Sequence, residues 1–399
     1  MSTGKRPSGI GIMGYFGHNN VGDEAMLLCW VNTLRAMGSL DRSVAFTADP
    51  AMTWNTYRIR AVQNVIPTSY RGYLVGYLGR NRRNFAQALK AFRTCGALIV
   101  GGGSLFHDRP DTSKYLIELL QRIEAAKNRR QTLLLLGVGI GPIHRDESRR
   151  ALKRILSRVD AIAVRDSLSR TTLDELGISG PEILTTADPA FLLDPPTKSE
   201  LVELARRLCL LDDRRIKVAF CLRTADLRNG SFKAAMISLS RHVLDQLGGS
   251  IWILPMQTGG GEDDRIGAED LARELDSPTN VCIISDVKGP LETMGLLSLM
   301  DFVVAEKLHA IVFAVQTHTP FLAISYAPKV RSFVSDMGHE DWCLDLVEVT
   351  HYLLQRRFTE IWTIRERIRS ELETLSKLQR FAAAINVELL HRYLATPEG

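Results

Sequence analysis

Alternation between apolar, strand-like runs and amphipathic helical stretches is the feature that most restricts how this 399-residue chain can fold. Strand-like runs occur at 10–16, 44–47, 97–100, 132–138 and 161–164, and again at 218–222, 250–255, 281–284, 302–305 and 321–325. Helical periodicity between them is the signature of βαβ units on parallel sheets. With a prior of roughly 150 residues per domain, the chain is too long for one core. Paired prolines cannot continue a strand, so Asp194-Pro195-Pro196-Thr197-Lys198 is the expected boundary. The pattern predicts an α/β protein with two Rossmann-like, doubly wound lobes at 1–194 and 199–348. A helical segment at 349–399 follows, where Ile361, Ile364, Ile368, Leu372, Leu375 and Leu378 recur every three or four residues and call for a surface to cover.

The longest apolar run, 133–143, is broken by glycines and a proline and falls short of the roughly 20 residues of a membrane-spanning helix. The N-terminal residues lead into a strand without a signal-like apolar stretch, so a cytoplasmic location is expected. Six scattered cysteines contain no CxxC pair and read as buried free thiols rather than a zinc site. The net charge is only +5, but from Ala51 to His107 there is no Asp or Glu, while eight Lys and Arg residues occur there. Within 71–85, Arg80, Arg82 and Arg83 flank Tyr73, Tyr77 and apolar residues. This suggests an anionic partner, either an acidic membrane surface or the phosphates of a lipid-linked molecule. No nucleic-acid module is recognisable, so no nucleic-acid partner is expected.

Chemistry concentrates at Glu306-Lys307-Leu308-His309-Ala310, where a buried strand turns into an apolar helix. Unpaired N–H groups and the positive end of the dipole favour an anion at such a corner. Lys307 and His309 there form a candidate anion-binding and proton-transfer site; the plainer alternative is a solvated lysine and a core histidine. The loop Gly14 to Ala25, GYFGHNNVGDEA, lacks dinucleotide-binding spacing and places Asp23 and Glu24 in a helix's first turn, where they compete with a phosphate. Asp23 is either an N-cap or, with Asn19 and Asn20, a group that binds hydroxyls, Asp23 or Glu24 serving as general base. Gly101-Gly102-Gly103-Ser104 and the glycines of 137–142 end two further strands and either let a ligand approach the backbone or simply reverse the chain.

Taken together, GYFGHNNVGDEA (14–25), GGGS (101–104), GVGIGP (137–142), VRDSLS (164–169), ADPAFLL (187–193), EKLHA (306–310) and SYAPKV (325–330) resemble the polysaccharide pyruvyl transferase family in order and spacing. The resemblance implies a GT-B-like fold and transfer of the pyruvyl group of phosphoenolpyruvate onto two sugar hydroxyls as a cyclic ketal, with phosphoenolpyruvate as co-substrate and neither cofactor nor metal. It implies that Arg223, Lys307, Tyr326 and Lys329 bind the donor and that His309 acts as general acid or holds the departing phosphate. Asp23 or Glu24 would deprotonate the acceptor, with Asn19, Asn20, Gly102, Gly103 and Ser104 lining its site. The family usually carries arginine where this chain has Lys307, which keeps the charge but loses the bidentate fork. Glu306 beside it is expected to pair with it. Two alternatives remain: a nucleotide-sugar glycosyltransferase, for which Gly259-Gly-Gly-Glu-Asp-Asp264 is the candidate loop though it reads better as a surface turn, and a catalytically impaired relative that binds a glycan.

Overall fold

A computed structural model describes residues 8–65, 82–208, 210, 215–259 and 261–395. Seven parallel strands form the first sheet: β1 (Gly9–Met13), β2 (Ser43–Thr47), β3 (Ala61–Gln63), β4 (Cys95–Val100), β5 (Thr132–Val138), β6 (Ala161–Val164) and β7 (Glu182–Thr185), in the order β3-β2-β1-β4-β5-β6-β7. The apolar runs of β4, β5 and β6 are almost wholly buried because helices cover both faces of a parallel sheet. The order reverses between β1 and β4, and the two chain ends there are Gly14 and Gly101. A Cβ on Gly14 would lie 2.4 Å from the Gly101 carbonyl oxygen, so glycine is what lets these ends meet.

The second sheet is built from β8 (Lys217–Cys221), β9 (Ser250–Ile253), β12 (Val281–Ile283), β13 (Phe302–Ala305), β14 (Phe321–Ser325) and β15 (Cys343–Asp345). Its order is β12-β9-β8-β13-β14-β15, every pairing parallel. A two-stranded antiparallel ribbon, β10 (Thr258–Gly259) and β11 (Glu262–Asp263), stands apart from it. The strand order of this sheet reverses between β8 and β13, which places residues 222–223 and 306–307 at the topological switch point.

By backbone contacts the chain forms two units. One holds residues up to His18, Met26–Leu192 and Phe381 onward; the other holds Asn19–Ala25 and Leu193–Arg380. The C-terminal segment expected at 349–399 therefore divides, and the first turn of the helix Val21–Ala36 belongs with the second sheet. In the first unit the final helix, Arg365–Ala395, is fastened by Asn386, whose buried amide donates to the Ala187 carbonyl at 3.2 Å and accepts from the Thr186 hydroxyl at 3.3 Å. Tyr393 donates to the Asp160 carbonyl at 3.0 Å. The expected apolar stripe is only partly realised. Ile361, Ile368 and Leu372 are buried, whereas Ile364 and Leu378 are exposed, because the chain turns at Ile364 between two helices and the helical phase restarts.

Of the cysteines, Cys29, Cys95, Cys221 and Cys343 are buried free thiols and Cys282 is partly exposed, while Cys209 lies outside the described residues. Residues 71–81 of the basic segment also lie outside them; Arg82 and Arg83 open the helix Arg82–Thr94. Among the described residues no helix is long and apolar enough to cross a membrane.

Candidate functional site

β8 is followed by Leu222 and Arg223, and Arg223 opens the four-residue helix Thr224–Leu227. β13 is followed by Glu306 and Lys307, and Lys307 opens the helix Leu308–Gln316. Because the two strands are neighbours with Ala305 opposite Cys221, these residues converge at one corner. Glu306 is fully buried, and it does not pair with Lys307 as the sequence led us to expect. One of its oxygens, Oε2, accepts the Arg223 backbone N–H at 2.8 Å and so joins the two strand ends.

Lys307 turns instead to the ribbon. Its ammonium lies 2.9 Å from Oδ2 of Asp264 and 3.8 Å from Oε2 of Glu262. Asp264 is 2 % exposed, and burial lifts its carboxyl above the ordinary range against the pull of Lys307. The Arg223 guanidinium bonds Asp226 at 2.8 Å and Glu262 at 3.2 Å and lies over the Tyr326 ring, 4.1 Å from its centroid. Burial opposes the Arg223 charge, but Tyr326, Asp226, Glu262 and Glu306 outweigh it and raise the pKa. Lys329 stands over the same ring at 5.1 Å. Burial works to raise the Tyr326 phenol, yet Lys329, Arg223 and Lys307 together lower it. Two cations, Arg223 and Lys329, thus stand over one aromatic ring, and carboxylates already compensate Arg223 and Lys307.

From the stretch 259–264, read from sequence as a surface turn, Glu262 and Asp264 belong to this corner. Gly259 and Glu262 pair across the ribbon, and Asp264 starts the helix Asp264–Leu275 with its carboxylate turned to Lys307. The same Asp264 oxygen accepts the Gln257 backbone N–H at 2.9 Å. Gln257 continues the chain of contacts, its side-chain carbonyl accepting from the Asn20 amide at 3.0 Å. Asn20 Oδ1 then accepts from Gly22 N at 3.0 Å and Asp23 N at 3.3 Å.

Asn20 is therefore the residue that caps the helix Val21–Ala36, and Asp23 is not. This also commits both ends of the Asn20 side chain to protein partners. Asn19 is exposed and adopts a left-handed φ of 51°, which asparagine tolerates, while its carbonyl accepts from Thr258 N. Asp23 and Glu24 are 8 % and 5 % exposed in the first helical turn. Gly22 packs directly on His309, since a Cβ there would lie 2.0 Å from the ring's Nδ1. One circuit of contacts thus runs from Lys307 through Asp264, Gln257 and Asn20 to Gly22 and back to His309, all within the second unit.

Gly102, Gly103 and Ser104 belong to the first unit. Gly102 and Gly103 have φ of 126° and 31°, so the turn after β4 uses a backbone region that side chains rarely enter. Ser104 accepts from Arg165 Nη2 at 3.2 Å, and Arg165 is itself a buried cation bonded to Asp188 at 2.8 Å. The sequence did not single out Asp226 or Gln257, held Glu262 and Asp264 only within a loop read as a surface turn, and gave Arg165 only as a letter of VRDSLS. For Arg165 and Asp188 a signal existed, because charged residues inside VRDSLS and ADPAFLL interrupt apolar runs and so require partners.

Comparison with known proteins follows this geometry. The amylovoran biosynthesis protein AmsJ of Erwinia amylovora is 23% identical over 283 residues, a match that spans 66% of this chain and 64% of AmsJ. Among solved structures, HepE of Anabaena in complex with UDP-glucose superposes with a TM-score of 0.63 at 14% identity, covering 97% of this chain and 99% of HepE. The UDP-GlcNAc 2-epimerase of Neisseria meningitidis gives 0.65 at 11% identity, with 97% and 99% covered. A glycosyltransferase of Rickettsia africae gives 0.60 at 11%, with 97% and 98% covered. These likenesses establish the α/β fold as the GT-B type. Residues 20–328, which span the whole circuit from Asn20 through Gln257 and Asp264 to His309, match the polysaccharide pyruvyl transferase family, and the chain belongs to it.

Proposed function

We propose that the protein transfers the pyruvyl group of phosphoenolpyruvate onto two hydroxyls of a sugar, forming a cyclic ketal during synthesis of a polysaccharide or glycan. The observation that carries this reading is the convergence of Arg223, Lys307 and His309 at the reversal point of the second sheet, where strand ends of α/β proteins receive ligands. Phosphoenolpyruvate presents a carboxylate and a phosphate on three carbons. Arg223 and Lys307 suit those two anions, and the donor would replace Asp226, Glu262 and Asp264 as partner of cations already held in place. Lys329 and the Tyr326 ring complete that side.

His309 is the proton donor in this scheme. Transfer of a proton to the methylene carbon makes it a methyl group and leaves an oxocarbenium-like centre at the neighbouring carbon. A sugar hydroxyl deprotonated by Asp23 or Glu24 attacks that centre. Phosphate departs with a second proton, and the other hydroxyl closes the ring. The products are the ketal and inorganic phosphate, with both hydroxyl protons accounted for.

The test is incubation with phosphoenolpyruvate and candidate sugar acceptors, reading phosphate release and ketal mass. Acceptor-dependent phosphate release is expected. Arg223→Ala should weaken donor binding by tenfold or more, on the order of the 1.5–3 kcal/mol of a charged hydrogen bond, whereas Lys307→Arg should preserve it. Release of nucleotide from a nucleotide sugar, with no phosphate from phosphoenolpyruvate, would replace this reading by a glycosyltransferase.

A further inference from the structure

Glu306 raises a question of charge that the proposed chemistry does not use. Its side chain is fully buried, and Oε2 is committed to the Arg223 backbone N–H at 2.8 Å. The other oxygen, Oε1, is buried and receives no hydrogen bond from the described residues. Among the described residues no cation bonds this carboxyl: the Arg223 guanidinium is committed to Asp226 and Glu262, and the Lys307 ammonium to Asp264 and Glu262. A fully buried carboxyl with one backbone N–H and no cationic partner is far costlier to hold ionised than protonated.

We propose that Glu306 is held as a neutral carboxylic acid, and that this neutrality is what leaves the corner able to accept an anion. The charged groups facing it are Arg223, Lys307 and Lys329 against Asp226, Glu262 and Asp264, and the buried Cys221 thiol on the adjoining strand is pushed well up by burial. With Glu306 neutral these charges balance. With Glu306 ionised the corner becomes net negative, around the cations that an anionic donor must reach. Burial is the largest reason the proton stays on Glu306, and Asp226 adds to it against the Arg223 N–H. Glu306 is thus a positioning residue, and the proposal rests on the phosphoenolpyruvate reading only for the identity of the anion.

The decisive variant is Glu306→Gln, because an amide reproduces the shape and the acceptor for Arg223 N but cannot ionise. A group whose proton is retained in the folded state and lost from the unfolded chain stabilises the fold less and less as pH rises from the unfolded pKa of about 4.3 to the folded one. Thermal melting across pH should therefore show Glu306→Gln gaining on the wild type as pH rises through this window. Infrared difference spectra of the two proteins at neutral pH should show a protonated-carboxyl band in the wild type alone. Titration with phosphoenolpyruvate should show wild-type affinity falling towards tenfold per pH unit above the folded pKa, with Glu306→Gln free of that fall. Absence of the infrared band, or parallel melting profiles, overturns the proposal. If phosphoenolpyruvate binds neither protein at any pH, the transfer reading fails while the infrared and melting results still decide the state of Glu306.

Discussion

Gly22 is the residue on which the histidine's position turns. No other side chain fits its place, because a Cβ would sit 2.0 Å from His309 Nδ1, and the obstacle is a ring packed near Phe313 rather than the tip of a flexible chain. Gly22→Ala must displace the imidazole or the start of the helix Val21–Ala36. We expect it to cost about 1–3 kcal/mol as an overpacking change and to lower turnover as strongly as His309→Ala, roughly 100-fold or more. Thermal melting and phosphate release measured on both variants check this, and a folded His309→Ala protein with near-normal turnover would remove the histidine from the chemistry. At this scale the sequence was half legible. Lys307 and His309 could be read because polar residues at the end of a buried strand are conspicuous. The partners of Lys307 could not, since Glu262 and Asp264 look like ordinary turn and helix-start residues until the fold brings positions about 40 apart together.

Among the elements, central strands announced themselves, and of the edges only β12 did. β4, β5, β8 and β13 are apolar runs covered on both sides, so composition alone marked them. β3, β7 and β15 lie at or beside the margins, run three or four residues and include Gln63, Glu182 and Asp345, so they read as loops. The loops after β4, β5 and β6 are joined by Arg165, whose side chain is 3% exposed, bonding Asp188 and Ser104 and packing against Gly139. Removing one partner of a buried ion pair leaves the other uncompensated. Asp188→Leu should therefore destabilise the protein by about 3–5 kcal/mol, visible as a drop in denaturation midpoint, while an exposed pair such as Arg367–Glu371 should tolerate Glu371→Ala with less than about 1 kcal/mol.

For the molecule as a whole, neither unit is a continuous piece of chain. The first is completed by residues beyond Phe381, and the second borrows Asn19–Ala25 from near the beginning. Asn386 concentrates the first of these dependencies in one amide bonded to Thr186 and Ala187. Asn386→Leu should cost about 2–4 kcal/mol, since it leaves the buried Ala187 carbonyl without its side-chain donor and the Thr186 hydroxyl with the Val164 carbonyl in place of a shared bond, and chemical denaturation can measure it. The paired prolines at 195–196 marked the change of sheet in the sequence, but they gave no sign of these exchanges, because hydrophobic periodicity reports that a surface is covered and not by what.

That interleaving bears on the order in which the polypeptide is made. While a ribosome is still translating the second sheet, the strands from β1 to β7 are finished yet lack the helix that supplies Asn386 and Tyr393, and Asn19–Ala25 has no Gln257 or His309 to rest on. The first sheet reaches its final contacts only once the helix carrying Asn386 and Tyr393 has been made, so the nascent chain carries two unfinished sheets at once and its exposure to chaperones and proteases lasts at least until that helix emerges.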